Sequence, residues 1–291
     1  MYSLLRTIKQ KLYKYFGIQG SNSSTPVNKF EYWQNKKRAK IYDSQTSKPD
    51  YNTVLNELFV DHIEEYIKKD AKILDVGAGT GVVSLEISRR GYDVTAADIS
   101  KEMLEHISKK NNKVKIIQAD VFKIVTEDKF DCIVSRWFIP HFKDWPKLVS
   151  HISSKLLNNN GYLIFDMPQE EHVMEAAKQI FVINPDIFGY DHSSNATESH
   201  YYSMASLSLL EQIAISNNLR LVARIPHGIF KSNLLLANSV GEKSFKNFNS
   251  YISKIGQEEE GRKFLYVFEK YIANKMNNHL SHGAILVFRK N

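Results

Sequence analysis

The sequence predicts an α/β fold built on one mostly parallel sheet with helices on both faces. Three observations carry this. Short apolar runs alternate with helical segments through the middle of the chain, the pattern of stacked βαβ units. The stretch Ile73-Leu74-Asp75-Val76-Gly77-Ala78-Gly79-Thr80-Gly81 is a buried strand running into three alternate glycines, and Val82 to Ile87 then starts a helix. Carboxylates stand at or just past the ends of three successive predicted strands, at Asp75, Asp98 and Asp120. That edge is where open parallel sheets hold their ligands.

Taken in order, residues 1–16 read as an amphipathic helix. Leu4, Leu5, Ile8, Leu12, Tyr15 and Phe16 fall within an arc of about 120°, alongside Arg6, Lys9, Lys11 and Lys14 and no acid. Residues 17–28, with Gly17, Gly20, a serine-rich run and Pro26, are a linker by composition. A helix is expected over 29–42, carrying Tyr32, Trp33 and the Lys36-Lys37-Arg38 cluster, and another over 53–68 after Pro49. Strands are expected at 72–76, 93–98, 113–118, 130–135, 162–166, 219–225 and 284–288. Helices are expected near 81–90, 101–110, 145–157, 169–181 and 206–217. Asn158-Asn159-Asn160-Gly161 reads as a turn, 183–203 as irregular, and 228–279 as one or two helices.

Composition excludes several classes. The chain of 291 residues carries a net charge of +7. Residues 1–50 hold ten Lys/Arg against three acids, which is the whole excess, so the remainder is balanced. A balanced body lacks the general basic surface of a nucleic-acid enzyme, and the positive charge belongs to the N-terminal arm. One cysteine permits no disulfide framework. Cys132, inside the run Phe130-Asp131-Cys132-Ile133-Val134, reads as a buried small hydrophobe. The sequence contains no apolar stretch of membrane-spanning length and no evident signal peptide. A cytoplasmic protein is expected, peripheral at the inner membrane face if the arm binds there.

The glycine spacing is neither that of a dinucleotide fingerprint nor that of a phosphate-binding P-loop, whose lysine and Ser/Thr are absent. Asp75-Val76-Gly77-Ala78-Gly79-Thr80-Gly81 instead resembles the first motif of the class I S-adenosylmethionine-dependent methyltransferases. The resemblance covers residues 50–170 well and 206–291 by pattern. It implies a seven-stranded sheet whose last strand inserts antiparallel between strands five and six. It divides the chain into a basic helix (1–16), a linker (17–28) and a methyltransferase domain (29–291). The domain's core covers about 50–170 and 206–291, and its acceptor cap about 168–205 and 228–279. It implies S-adenosylmethionine as cofactor, bound by Asp75, Gly77, Ala78, Gly79 and Gly81. Asp98 would accept from both ribose hydroxyls, Ile99 and Met103 would flank the adenine, and Asp120 with Val121 would meet its edge. Ser135 and Arg136 open the segment that lines the methionine half, and His141 lies further along it.

An activated methyl donor leaves the protein to align the acceptor and exclude water. A hydroxyl acceptor benefits from a base, and histidine titrates near neutrality. His141 is therefore the expected base. Asp166, His172, Tyr190, His192, His200, Tyr201 and Tyr202 are the other titratable groups near the expected methyl. Asp191, His192 and His200 match no compact metal motif, so no metal ligands are assigned, while the resemblance leaves the use of magnesium open. The reading that follows is methyl transfer to a small-molecule hydroxyl, of a sugar or glycan precursor near the membrane. A quinone-precursor or other lipid-soluble ring is the alternative acceptor. A non-catalytic cofactor-binding module is the alternative of another class, and the intact glycine loop and three acids argue against it. The expected partners are the acceptor and, through residues 1–16, an anionic membrane surface, with no nucleic acid.

Overall fold

The computed structural model describes residues 36–46, 48–111, 113–142, 144–172, 175, 203–231 and 233–291. The expected arm helix, its linker and most of the 168–205 cap, with Tyr190, His192, His200, Tyr201 and Tyr202, lie outside the described residues. In chain order the described elements are α1 (Lys36–Thr46), α2 (Tyr51–Glu64), β1 (Lys72–Val76), α3 (Val82–Arg89), β2 (Asp93–Asp98), α4 (Lys101–Lys110) and β3 (Lys115–Gln118). There follow β4 (Phe130–Ser135), α5 (Trp145–Lys155), β5 (Leu157–Pro168), α6 (Leu207–Ser216), β6 (Leu219–His227), α7 (Leu234–Val240), α8 (Glu242–Gln257), α9 (Glu259–Tyr271) and β7 (Gly283–Lys290).

The strands form one sheet in the order β3-β2-β1-β4-β5-β7-β6. β1 to β5 run parallel, and β7 is antiparallel to both β5 and β6. The expected insertion of the last strand is thus what the chain does. The C-terminal ends of β1 to β6 and the start of β7 consequently share one edge.

Alternate strand residues face opposite sides, which gives the sheet two cores. Leu74, Ile133, Leu163, Phe165, Leu286 and Phe288 pack with Leu148 and Ile152 of α5 and Leu210 of α6. Ile73, Cys132, Val134, Ile164, Ile285 and Val287 pack with Phe59 and Ile63 of α2, Ile87 of α3 and Ile107 of α4. Cys132 is fully buried, and burial pushes its thiol far above the ordinary range. A third cluster joins Tyr51, Val54, Leu55 and Leu58 of α2 to Ile252 of α8 and Leu265 of α9.

Local chemistry sets several boundaries. α2 begins where the Asp50 carboxylate accepts from Asn52 N (2.8 Å) and Thr53 N (3.2 Å) while Thr53 Oγ1 accepts from Asp50 N, a reciprocal cap. This places its start at Tyr51, two residues before the expected one. The expected turn at 158–161 proves to lie inside β5. Phe130 pairs with Leu157 and the register then shifts to Cys132–Tyr162, with Asn160 at φ 62°. The polar run is a bulge held by β4 rather than a connection. The 228–279 segment holds three α-helices rather than one or two. Among the described residues no helix is long and apolar enough to cross a membrane.

Candidate active site

The glycine loop joins β1 to α3 and is tied to β2 by Gly77 N and Ala78 N, which donate to Ala97 O at 2.8 and 3.1 Å. Gly77 and Gly81 lie at φ 72° and 84°, and packing excludes a side chain at either. A Cβ on Gly77 would lie 2.1 Å from the Phe138 ring, and one on Gly81 would lie 2.5 Å from Ile107 Cγ1. Gly79 (φ 55°) is different, because among the described residues its Cβ would meet only Tyr42 of α1, at 3.7 Å. The space over Gly79 is therefore left open by the sheet. Two further features suit a polar ligand there. The Thr80 hydroxyl is buried with no hydrogen-bond partner among the described residues. The N-terminus of α3 carries no side-chain cap, so its amides are available to an anionic group. The site thus fits a nucleoside carrying a carboxylate-bearing tail.

The three acids take different places. Asp75 is buried under the loop and accepts from Ser84 Oγ at 2.5 Å, and burial raises its pKa to about 7. Asp98 accepts from Gly79 N and Ser100 N, both at 2.9 Å, so it couples the loop to the start of α4. Each carboxylate oxygen has a second lone pair for a ribose hydroxyl. Asp120 accepts from Phe122 N at 3.0 Å and caps a short 3-10 turn. Met103 and Val121 are buried and Ile99 is half-buried at the same end of the sheet. α1 lies over this half. Its Asp43 is 3.2 Å from His106 Nδ1 and 2.5 Å from Lys110 Nζ on α4.

On the other side of β1 the edge changes character. Ser135 Oγ donates to Val76 O at 3.1 Å and links β4 to the loop. Arg136, expected at the cofactor, directs its guanidinium instead to Asp166 Oδ2 (2.5 Å) and Asn56 Oδ1 (2.7 Å) and lies over the Phe59 ring. Trp137 stands at φ 54°, a costly conformation for a bulky residue. Its amide donates to Asp166 Oδ1 at 2.6 Å. Asp166 is fully buried and committed to these two donors, so it anchors Trp137 rather than serving as a base. Burial raises its pKa against the opposing pull of Arg136.

Trp137, His227, Gly228, Lys231, His282, Gly283 and Leu55 line one pocket. His227 ends β6 and His282 precedes β7, so β7's insertion brings them together beside β5. The Trp137 ring lies nearly parallel to His282 (16°) and edge-on to His227, with Lys231 Nζ 5.6 Å from its centroid. Neither ring nitrogen of His227 has a hydrogen-bond partner among the described residues, and Nε2 lies 3.9 Å from Asp166 Oδ2. Burial, then Arg136 and Lys231, hold His227 well below the ordinary imidazole range. α9 braces this wall: buried Glu269 accepts from Tyr51 Oη, from Gly228 N at 2.9 Å and from Ile229 N at 3.2 Å. His141 ends a short 3-10 turn, Ile139–His141, half-buried and outside this pocket lining. The expectation therefore missed His227, Lys231 and His282. Their available signal was a His-Gly pair at the end of one strand and the start of another.

The buried histidines give a pH signature. Burial lowers His282 to about 3 and His172 to about 4 from an ordinary 6.5, and His227 moves the same way. Below 6.5 the unfolded chain binds protons that the folded one does not, so stability is full above that pH and falls below it. Each histidine contributes up to about 1.4 kcal/mol per pH unit. Urea unfolding should show a lower midpoint at pH 5.5 than at 7.5. The gap should narrow in His282→Phe, and an unchanged gap would contradict this account.

A family model for a methyltransferase domain matches residues 49–223. The chain is 32% identical over 99 residues to the ubiquinone biosynthesis O-methyltransferase of Pelagibacter ubique (strain HTCC1062), covering 33% of this chain and 41% of that protein. It is 28% identical over 191 residues to malonyl-(acyl-carrier protein) O-methyltransferase 1 of Ilyobacter polytropus, covering 64% and 65%. In both, the match spans less than two thirds of the relative's own length. Among solved structures, coclaurine N-methyltransferase bound to N-methylheliamine and SAH aligns over 98% of this chain and 94% of that one. Its TM-score is 0.54 at 15% identity, a likeness of fold.

Proposed function

Because this chain belongs to the methyltransferase-domain family, in its class I S-adenosylmethionine-dependent fold, we propose that it methylates a hydroxyl of a small molecule. The observation that carries the reading is His227, a buried neutral imidazole with no hydrogen-bond partner among the described residues, on the acceptor side of the strand-end edge. An amine acceptor needs only to be neutral, whereas a hydroxyl gains from a base in reach. When bound, the cofactor supplies the activated methyl. The protein's own part is positional. Asp98 and the glycine loop hold the nucleoside, Arg136 and Asp166 fix Trp137, and His227 takes the hydroxyl proton at a ring nitrogen. β7 lies three strands from β1, where the loop begins, about 14 Å, so the pocket sits beside the loop rather than over it.

His227 takes precedence over His141 here because it lines the pocket. The ring acceptor draws support from the named relative in ubiquinone biosynthesis. The sugar hydroxyl remains the other candidate, and amine methylation is what the coclaurine enzyme's name would suggest. A screen with labelled cofactor over phenols and hydroquinones, sugars and amines tests the reading. Label is expected on oxygen, and label on amines alone would overturn it. Cofactor binding with no turnover on any class would point to a non-catalytic module.

A further inference from the structure

The pocket between Trp137 and β7 has a charge imbalance. Lys231 is half-buried and lines the pocket. Its contacts among the described residues are the Asn52 side-chain carbonyl and the face of Trp137, and an ammonium has three protons to donate. No carboxylate among the described residues lies within ion-pairing distance of it. The nearby charges are otherwise engaged: Asp166 holds Arg136 and Trp137 N, and Asp50 caps α2. His227 and His282, from β6 and the start of β7, are neutral. An enclosed cation without a counter-ion is costly. The same wall is kept small, since Gly228 and Gly283 line it and a Cβ on Gly283 would press to 3.3 Å from His227 Nε2. The strained backbone of Trp137 sets the remaining side.

We propose that this pocket receives an anionic oxygen group of the methyl acceptor, a carboxylate or an ionised ring hydroxyl, with Lys231 as the cation that pairs with it. The inference rests on the methyltransferase reading, because it assigns the pocket's occupant to the acceptor. Lys231 supplies the charge, the glycines supply the room, and Leu55 and Trp137 supply apolar walls for the carbon that bears the group. Lys231 would act as a specificity residue, selecting acidic acceptors over neutral ones of the same shape.

Calorimetry on the full chain saturated with S-adenosylhomocysteine tests this with four probes: benzoate and 4-nitrophenolate against benzamide and benzyl alcohol. At least one anion is expected to bind at least tenfold more tightly than its neutral counterpart, and which anion does so identifies the source. Lys231→Met should lose that preference and Lys231→Arg should keep part of it, both with unchanged S-adenosylhomocysteine affinity. Burial and Arg136 lower Lys231 to about 8, while Asp50 and Asp166 oppose. The preference should therefore fade as pH rises through 8. Equal binding of anions and neutral probes, no binding of either anion, or wild-type preference in Lys231→Met would overturn the inference. If S-adenosylhomocysteine itself fails to bind, the methyltransferase reading falls; if it binds and the anions do not, only the pocket assignment falls.

Discussion

A Gly79→Val variant is expected to lose measurable cofactor binding while keeping a folded sheet. The loop's three glycines separate into two kinds. Gly77 and Gly81 are packed against Phe138 and Ile107, so a side chain there disrupts the core first. Among the described residues Gly79 meets only Tyr42, at ordinary contact distance. A valine at φ 55° carries strain of about 1–3 kcal/mol, within the stability of an ordinary domain. Its methyl groups would fill the space over the loop. Calorimetry with S-adenosylhomocysteine, beside circular dichroism to establish folding, is the check. A folded Gly79→Val chain with wild-type affinity would remove the loop from the cofactor site.

The second large effect is expected at His227. His227→Phe should lower kcat by roughly 10²–10⁴ on a hydroxyl acceptor, with cofactor affinity near normal. The same substitution should not lower the thermal midpoint. An imidazole buried without hydrogen bonds carries an unmet desolvation penalty of about 1–3 kcal/mol, which a ring of similar shape and no polar atom relieves. A residue whose removal leaves the fold as stable and the reaction slow is held there by function. His141→Ala is the companion measurement. If it shows the rate loss and His227→Phe does not, the base lies on the 3-10 turn after β4.

The positions of the residues expected at the cofactor could be read from the chain because each is local to its strand. β2 and α4 occupy the expected 93–98 and 101–110. Their limits are set by a short run buried on both faces between two acids, Asp93 and Asp98, and by Ser100, whose side chain caps α4 at Met103 N. Asp98 ends β2, and Gly77 and Asp120 follow β1 and β3 within two residues, so strand-end logic places all three on one edge. The acceptor half depends on pairing across the sequence. His227 and His282 meet only because β7 enters between β5 and β6, and no periodicity in either segment carries that. Asn158 to Gly161 deceived for a related reason. Its polar residues resemble a turn, and they bulge out of β5 between the pairs Phe130–Leu157 and Cys132–Tyr162, where the Asn158 side chain bonds to Asp131. Arg136 followed the right strand, but Asp166, one strand over, decides where its guanidinium goes.

The place of β7 also bears on how the molecule is made. β1 to β5, with the glycine loop and all three acids, emerge from the ribosome well before Gly283. During synthesis chains fold from the N-terminal side, yet among the described strands β6 has no hydrogen-bonded neighbour except β7. A nascent chain can therefore assemble the nucleoside half early, while its acceptor wall waits for the final strand to slot between two others. A translation product cut short before His282 would keep the whole first motif and have neither His282 nor β7 to pair with the strand that carries His227. The side of the edge that carries His227 and His282 is therefore completed only by the last strand to be made.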